Sequence, residues 1–259
     1  MSMPSLWLAA LPALLAAAVL TWIVSVAKRN VTIVDTLWPL LFVIATAVYV
    51  GVQPAPSSRA WLVLALVTLW GLRLAIYLGW RNFGHEEDRR YQAIRRRNEP
   101  NFALKSLWLI FGFQAALAWV ISLPLAGAVA GSASLGLLDV LGVILFAVGL
   151  LFEAVGDLQL ARFKSDPANA GRVMDRGLWR WTRHPNYFGD FCVWWGFYLL
   201  ALGAGAWWSI AGPLIMSFLL LRFSGVRLLE RDIGERRPAY AEYVRRTNSF
   251  FPGRRKKGR

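Results

Sequence analysis

Apolar residues run through this chain in long blocks separated by short, basic segments. A helix needs about 20 predominantly apolar residues to cross a hydrocarbon core about 30 Å thick. Windows of that kind fall at residues 5–27, 31–52, 60–80, 104–130, 135–161, 186–203 and 206–228. The pattern predicts an all-α integral membrane bundle of seven transmembrane helices, a single membrane-embedded domain over residues 1–259 with a basic tail at 254–259. The sixth and seventh windows could merge, but one helix of about 40 residues would be too long for a single crossing. Gly203 and Gly205 predict a tight turn between them. The first block has no basic stretch before it and is followed by Lys28 and Arg29, which reads as a retained helix rather than a cleaved leader.

Lys and Arg concentrate after the first, third and fifth windows and in the tail, whereas the short segments after the fourth and sixth windows hold none. The positive-inside rule then puts the amino terminus outside and the carboxyl terminus in the cytoplasm, which an odd number of spans also requires. Three working segments fall on the cytoplasmic side: 81–103, 162–187 and 222–259. The tail reads as a topology determinant that touches anionic membrane lipid.

Composition sharpens this picture. Of 259 residues 57% are hydrophobic, with 14 Trp, 15 Phe and 7 Tyr, yet 29 Lys+Arg stand against 15 Asp+Glu for a formal charge of +14. That balance excludes a disordered chain and departs from an ordinary soluble globule. Cys192 is the single cysteine, so no disulfide framework forms within the chain. With only His85 and His184 besides, no metal site is expected. A monomer without a nucleic-acid partner is expected.

Ionisable and amide groups inside apolar windows are expensive and ask for a function and a partner. Here they are Asp35, Arg73, Gln114, Glu153, Asp157 and Asp190. Each could be a structural link between helices; together they favour a polar cavity. Glu153 and Asp157 stand four residues apart and share a helix face, and Arg162 and Lys164 follow where the helix dipole favours cations. Asp35 lies in VTIVDTLWPLL. A carboxyl among such neighbours is expected to serve as a hydrogen donor or general acid, or as a protonated group bonded to a nearby carbonyl. Arg73 and Tyr77 share a face that continues to Arg81 and Asn82, a stripe able to bind an anion or position a carbonyl.

The segment RNFGHEEDRRYQAIRRRNEPNF, from residue 81, has acidic Glu86, Glu87 and Asp88 that a topology signal does not need, which predicts a folded ligand-binding loop. The segment RFKSDPANAGRVMDRGLWRWTRHPNYFGD, residues 162–190, begins as irregular backbone and offers Arg, Lys, His, Asn and Tyr side chains suited to phosphate and ribose. No Gly-x-Gly-x-x-Gly follows a strand, so a dinucleotide would be held by side chains on helices and loops.

GLWRWTRHPNYFGDFCVWWGFYLLAL, the tail ERRPAYAEYVRRTNSFFP and the earlier HEEDRRYQAIRRR together resemble the bacterial branch of the steroid 5α-reductase family, the DUF1295 proteins. The resemblance covers about residues 30–253. It implies a multi-pass enzyme of the bacterial inner membrane that uses NADPH to reduce the C4–C5 double bond of a 3-oxo-Δ4-steroid or similar lipophilic enone. An acid at the 3-oxygen would stabilise the charge that develops there. Carried over by position, the family's cofactor contacts fall on Asp157, Lys164, Arg172, Asn186, Asp190 and Arg222, with Arg73 and Tyr77 toward the nicotinamide half. The expected cofactor set also takes in Arg183, His184 and Tyr187, and Glu230 and Tyr243 of the tail; the catalytic pair is Asp35 and Tyr77. The family's Gln-Glu acid element has its nearest counterpart in Asp35 with Trp38, in a different register, and its catalytic tyrosine falls on Trp70.

Two other readings stay open. The Arg-His-Pro-x-Tyr-x-Gly pattern is shared with isoprenylcysteine carboxyl methyltransferases, which use S-adenosylmethionine. That cofactor has no phosphate, so the cations Lys164, Arg172, Arg183 and Arg222 favour NADPH. A seven-helix transporter or lipid-binding protein would also use intramembrane carboxylates, but no inverted repeat is visible.

Overall fold

The computed structural model describes residues 2–223 and 239–255. Among these residues the regular elements are all helical. In chain order they are α1 (Met3–Lys28), α2 (Ile33–Gly51), α3 (Ser58–Asn82), α4 (Arg89–Asn98), α5 (Phe102–Ile121) and α6 (Leu123–Ala130). Then follow α7 (Leu137–Ser165), α8 (Pro185–Gly203), α9 (Ala211–Phe218) and α10 (Ala239–Arg246). Five of them, α1, α2, α3, α5 and α7, are long and apolar enough to cross a membrane. The chain therefore reads as a multi-pass membrane protein. Exposed Leu20, Ile23, Leu69, Ile76, Phe113, Ile144 and Leu151 on these helices suit contact with lipid tails. Of the remaining predicted windows, 186–203 is the 19-residue α8. The window at 206–228 begins as a shorter apolar stretch, Trp207–Arg222, and its end lies outside the described residues.

The chain forms two compact units: Met1–Gly136 with Leu200–Ile210, and Leu137–Leu199 with Ala211–Arg259. In the first, α2 and α3 make the most extensive helix pairing. It is possible because residue 71 is glycine: a Cβ there would stand 2.5 Å from Val43 Cγ2 and 3.0 Å from the Pro39 carbonyl oxygen. Trp38, Phe42 and Trp70 fill the adjoining core with edge and tilted ring contacts at 5.1 and 5.9 Å. Trp7 of α1 and Trp119 of α5 stack at 3.8 Å, and each indole N–H donates to the other residue's carbonyl at 2.9 Å.

The single helix expected over 104–130 is in fact two. The Ser122 hydroxyl donates to the Trp119 carbonyl at 2.7 Å where α5 ends, and Pro124, which lacks an N–H, sits in the first turn of α6. Small residues let α6 pack deeply: a Cβ on Gly127 would lie 2.6 Å from Ala206 Cβ. That contact holds the predicted turn, in which Gly205 adopts φ +81°. Arg59, 1% exposed, donates to the carbonyls of Ala133 and Ser134 at 2.8 and 2.9 Å and so ties the start of α3 to the end of this unit.

The second unit is organised by an antiparallel pairing of α7 and α8 along glycines. Gly142, Gly149 and Gly156 recur every seventh residue on α7. They meet, in reverse order, Gly196, Gly189 and the Pro185–Asn186 start of α8. A Cβ on Gly149 would stand 2.5 Å from the Gly189 carbonyl oxygen and 2.7 Å from the Val193 nitrogen. Backbone thus packs on backbone, as small residues permit between membrane helices.

Candidate functional site

In the first unit the site is built where α4 meets the start of α2. Asp88 caps α4 by accepting from the Arg90 N–H at 2.9 Å, and its own N–H donates to Thr32 Oγ1 at 2.9 Å. The cap delivers Arg90 and Tyr91 to Asp35. The Tyr91 hydroxyl donates to Asp35 Oδ1 at 2.6 Å, the Arg90 guanidinium pairs with Asp35 Oδ2 at 3.1 Å, and Gln114 of α5 hydrogen-bonds Tyr91. Asp35, within an apolar helix window, also accepts from a phenol and a guanidinium, because the loop after α3 folds back over it. Burial and then the Asp35 carboxylate push the Tyr91 phenol well above its ordinary range, so it stays a hydrogen donor; the residue is 7% exposed. Burial opposes the charge on Arg90, but its bonds to Asp88 and its pairing with Asp35 outweigh that and raise its pKa.

Arg73 and Tyr77 form the expected stripe on α3. Two guanidiniums lie over the Tyr77 ring, Arg73 at 5.6 Å and Arg81 at 5.9 Å from its centroid.

The loop from 81 to 103 is folded, as its acidic residues predict. Glu87 accepts from the Val31 N–H at 2.9 Å and from the Arg95 fork at 2.7 and 2.8 Å, and Arg95 also lies 4.3 Å from the Phe102 ring centroid. Burial works against ionisation of Glu87, but the Arg95 fork and the Val31 N–H prevail and hold its pKa below the ordinary carboxylate range. A lowered folded-state pKa means that this contribution to stability is complete above the unfolded value of 4.5 and is lost as pH falls through the folded value. Protection of the amides in residues 87–98 from exchange, taken relative to their intrinsic rates at each pH, is expected to fall on acidification below that value in wild type. The Glu87→Gln protein should already exchange fast at neutral pH and show no such step.

In the second unit the glycine packing of α7 on α8 encloses two carboxyl groups, Glu153 at 3% and Asp157 at 4% exposed. Asn186 Nδ2 donates to Asp157 Oδ1 at 3.1 Å, and its Oδ1 accepts from the Tyr187 N–H at 3.1 Å. The imidazole of His184 stacks on the Tyr187 ring at 5.6 Å with planes 5° apart. Asp190 is half-buried on α8, whereas Lys164, Arg172 and Arg222 are exposed.

Arg183 and Tyr243 bond to backbone carbonyls around the start of α8. Arg183 donates to the carbonyls of Val244 and Thr247 at 3.1 and 2.6 Å, which satisfies the end of α10, and the Tyr243 hydroxyl donates to the Trp179 carbonyl at 2.5 Å. With Thr182 bonded to the Phe250 carbonyl at 2.7 Å, they fasten the chain's last described segment to the turn before α8. Burial, first of all, raises the Tyr243 phenol well above its ordinary range. Glu230 lies outside the described residues. The predicted residues thus gather in two sets: Asp35, Arg73 and Tyr77 in the first unit, and Asp157, Asn186, His184, Tyr187 and Asp190 in the second. In the sequence Arg90 carries no mark of its own and Tyr91 only that of an aromatic within a charged segment; the acidic run beside them is the available signal.

Fold and site define a multi-pass helical membrane protein with polar groups buried among its helices. More particularly, residues 21–247 match the family model described as a protein of unknown function, DUF1295, and the chain belongs to that family. An uncharacterized protein of Schizosaccharomyces pombe is 30% identical over an alignment that covers 89% of this chain and 75% of that protein. A probable O-methyltransferase, ustE, of Ustilaginoidea virens is 34% identical over 111 residues, 43% of this chain and 34% of that protein. No solved structure matches the chain.

Proposed function

We propose that the protein is an NADPH-dependent reductase of a lipophilic enone, the C4–C5 double bond of a 3-oxo-Δ4-steroid being the type case. The observation that carries this reading is the buried Glu153–Asp157–Asn186 set, which offers acceptors and an amide within a helix pair otherwise closed by glycine. Such groups fit the hydroxyls and carboxamide of a dinucleotide, and the same unit exposes Lys164, Arg172 and Arg222 for its phosphates. When bound, NADPH supplies a hydride. Within the first unit, Arg73 and Tyr77 are a cation and a phenol suited to a carbonyl, and Asp35 with Tyr91 holds a proton.

Arg172→Ala is expected to weaken NADPH binding roughly tenfold or more, the worth of a hydrogen bond to a charged group, with an unchanged melting temperature. Unchanged affinity would remove the phosphate role.

The stretch shared with a probable O-methyltransferase favours a second reading, a membrane methyltransferase that uses S-adenosylmethionine. Titrating the purified protein with both cofactors separates the two. Incubation with NADPH and a panel of hydrophobic enones, with products followed by mass spectrometry, then tests the substrate class. Binding of S-adenosylmethionine alone overturns the reductase.

A further inference from the structure

Helix α4 has two faces with different occupants. At 100° per residue, Tyr91 and Arg95 point one way, to Asp35 and to Glu87. Arg89, Arg96 and Arg97 lie on the opposite side and are exposed. Three contacts fix the depth of this outer face. The Arg95 fork donates to the carbonyl of Arg29, just past the end of α1, at 3.3 Å, and Lys105 Nζ, in the first turn of α5, donates to the Asn98 carbonyl at 3.3 Å. The Trp22 indole donates to the Ala103 carbonyl at 2.8 Å. α4 is thereby held beside the ends of two membrane-length helices, at the level where a bilayer presents its headgroups. Exposed Lys28, Arg29 and Lys105 border it. Glu87 and Asp88 turn inward to Arg95 and Arg90, so only Glu86 and Glu99 of the segment oppose six outward cations.

From this we infer that the outer face of α4 binds the phosphate groups of anionic phospholipids. Guanidinium forks match phosphate oxygens, and a cluster of cations at headgroup depth gains from the negative surface potential of an anionic leaflet. The inner face of the same helix carries Tyr91 onto Asp35, and Arg90, from the helix flank, reaches the same carboxylate, so lipid on one side steadies the Asp35 cluster on the other. The inference is independent of the reductase reading, since its test needs no turnover.

The full chain is reconstituted in phosphatidylcholine nanodiscs containing a minor fraction of phosphatidylglycerol, and the lipid that stays bound on release is quantified by native mass spectrometry. Wild type is expected to retain phosphatidylglycerol above its bulk fraction. The Arg89→Gln/Arg96→Gln/Arg97→Gln protein is expected to lose retention roughly fivefold or more, and the corresponding lysine triple to keep most of it. Should the glutamine triple fail to fold, Arg96→Gln/Arg97→Gln at the end of the helix is measured instead, with a smaller loss expected. Equal retention in wild type and a folded glutamine variant overturns the inference. So does displacement of phosphatidylglycerol from this face by an RNA oligonucleotide at a lower concentration than a soluble anionic phospholipid requires, which would make it a nucleic-acid site.

Discussion

Asp35→Asn is expected to cut enone turnover about a hundredfold or more while leaving NADPH affinity nearly unchanged. The carboxylate accepts on both oxygens, from Tyr91 at 2.6 Å and from Arg90 at 3.1 Å. An asparagine fills the same space but presents one oxygen and one NH2; with the oxygen kept on Arg90, the NH2 meets the Tyr91 oxygen and the phenol must turn its proton away. The proton path through the pair is then lost. The same mismatch costs about 1–3 kcal/mol of stability, readable as a lower melting temperature in detergent. Tyr91→Phe is the sharper companion, since it keeps the ring beside Arg90 and removes only the hydroxyl. Single-turnover oxidation of NADPH with product analysis checks the rate, and a binding titration checks the affinity. Full activity in both variants discards the cluster as the acid, even if the loss of stability is found as stated.

What the sequence made legible follows from the range of the forces involved. Apolar blocks are a local signal, and the five membrane-length helices of the structure coincide with five of the seven predicted windows. The break at Ser122 is not legible in the sequence, because Leu, Ala and Gly run through it without a change of hydropathy and Pro124 alone marks the new start. Asp35 stood out as a charge within an apolar window; that Arg90 and Tyr91 reach it across 55 and 56 residues is a tertiary fact. Arg59, just before the third apolar window, carries no sequence mark of its role and is a buried tie to two carbonyls. The glycines of α7 escaped notice because a seven-residue spacing of small residues gains meaning only when a second helix answers it.

That answer makes Gly189 the position of largest expected effect on folding. A Cβ there would stand 2.5 Å from the Glu153 nitrogen and 2.5 Å from the Gly149 carbonyl oxygen. Both are backbone atoms of one helix, so no rotamer change relieves the contact and α7 and α8 must move apart. Separation strips close packing along the whole glycine row, since Gly142 with Gly196 and Gly156 with Asn186 depend on the same axis distance. Gly189→Ala is therefore expected to destabilise by roughly 3 kcal/mol, at the upper end of overpacking in a well-packed core, and Gly189→Leu to prevent recovery of folded protein. Gly51→Ala is the control, because a Cβ at that helix end meets nothing within 4 Å. It should be neutral or slightly stabilising. Melting curves and size-exclusion recovery compare the three proteins. Because Asn186 bonds Asp157 at the end of this same row, any folded Gly189→Ala protein should also bind NADPH more weakly than wild type. Wild-type stability in Gly189→Ala would mean that the two helices do not approach as closely as their glycines allow.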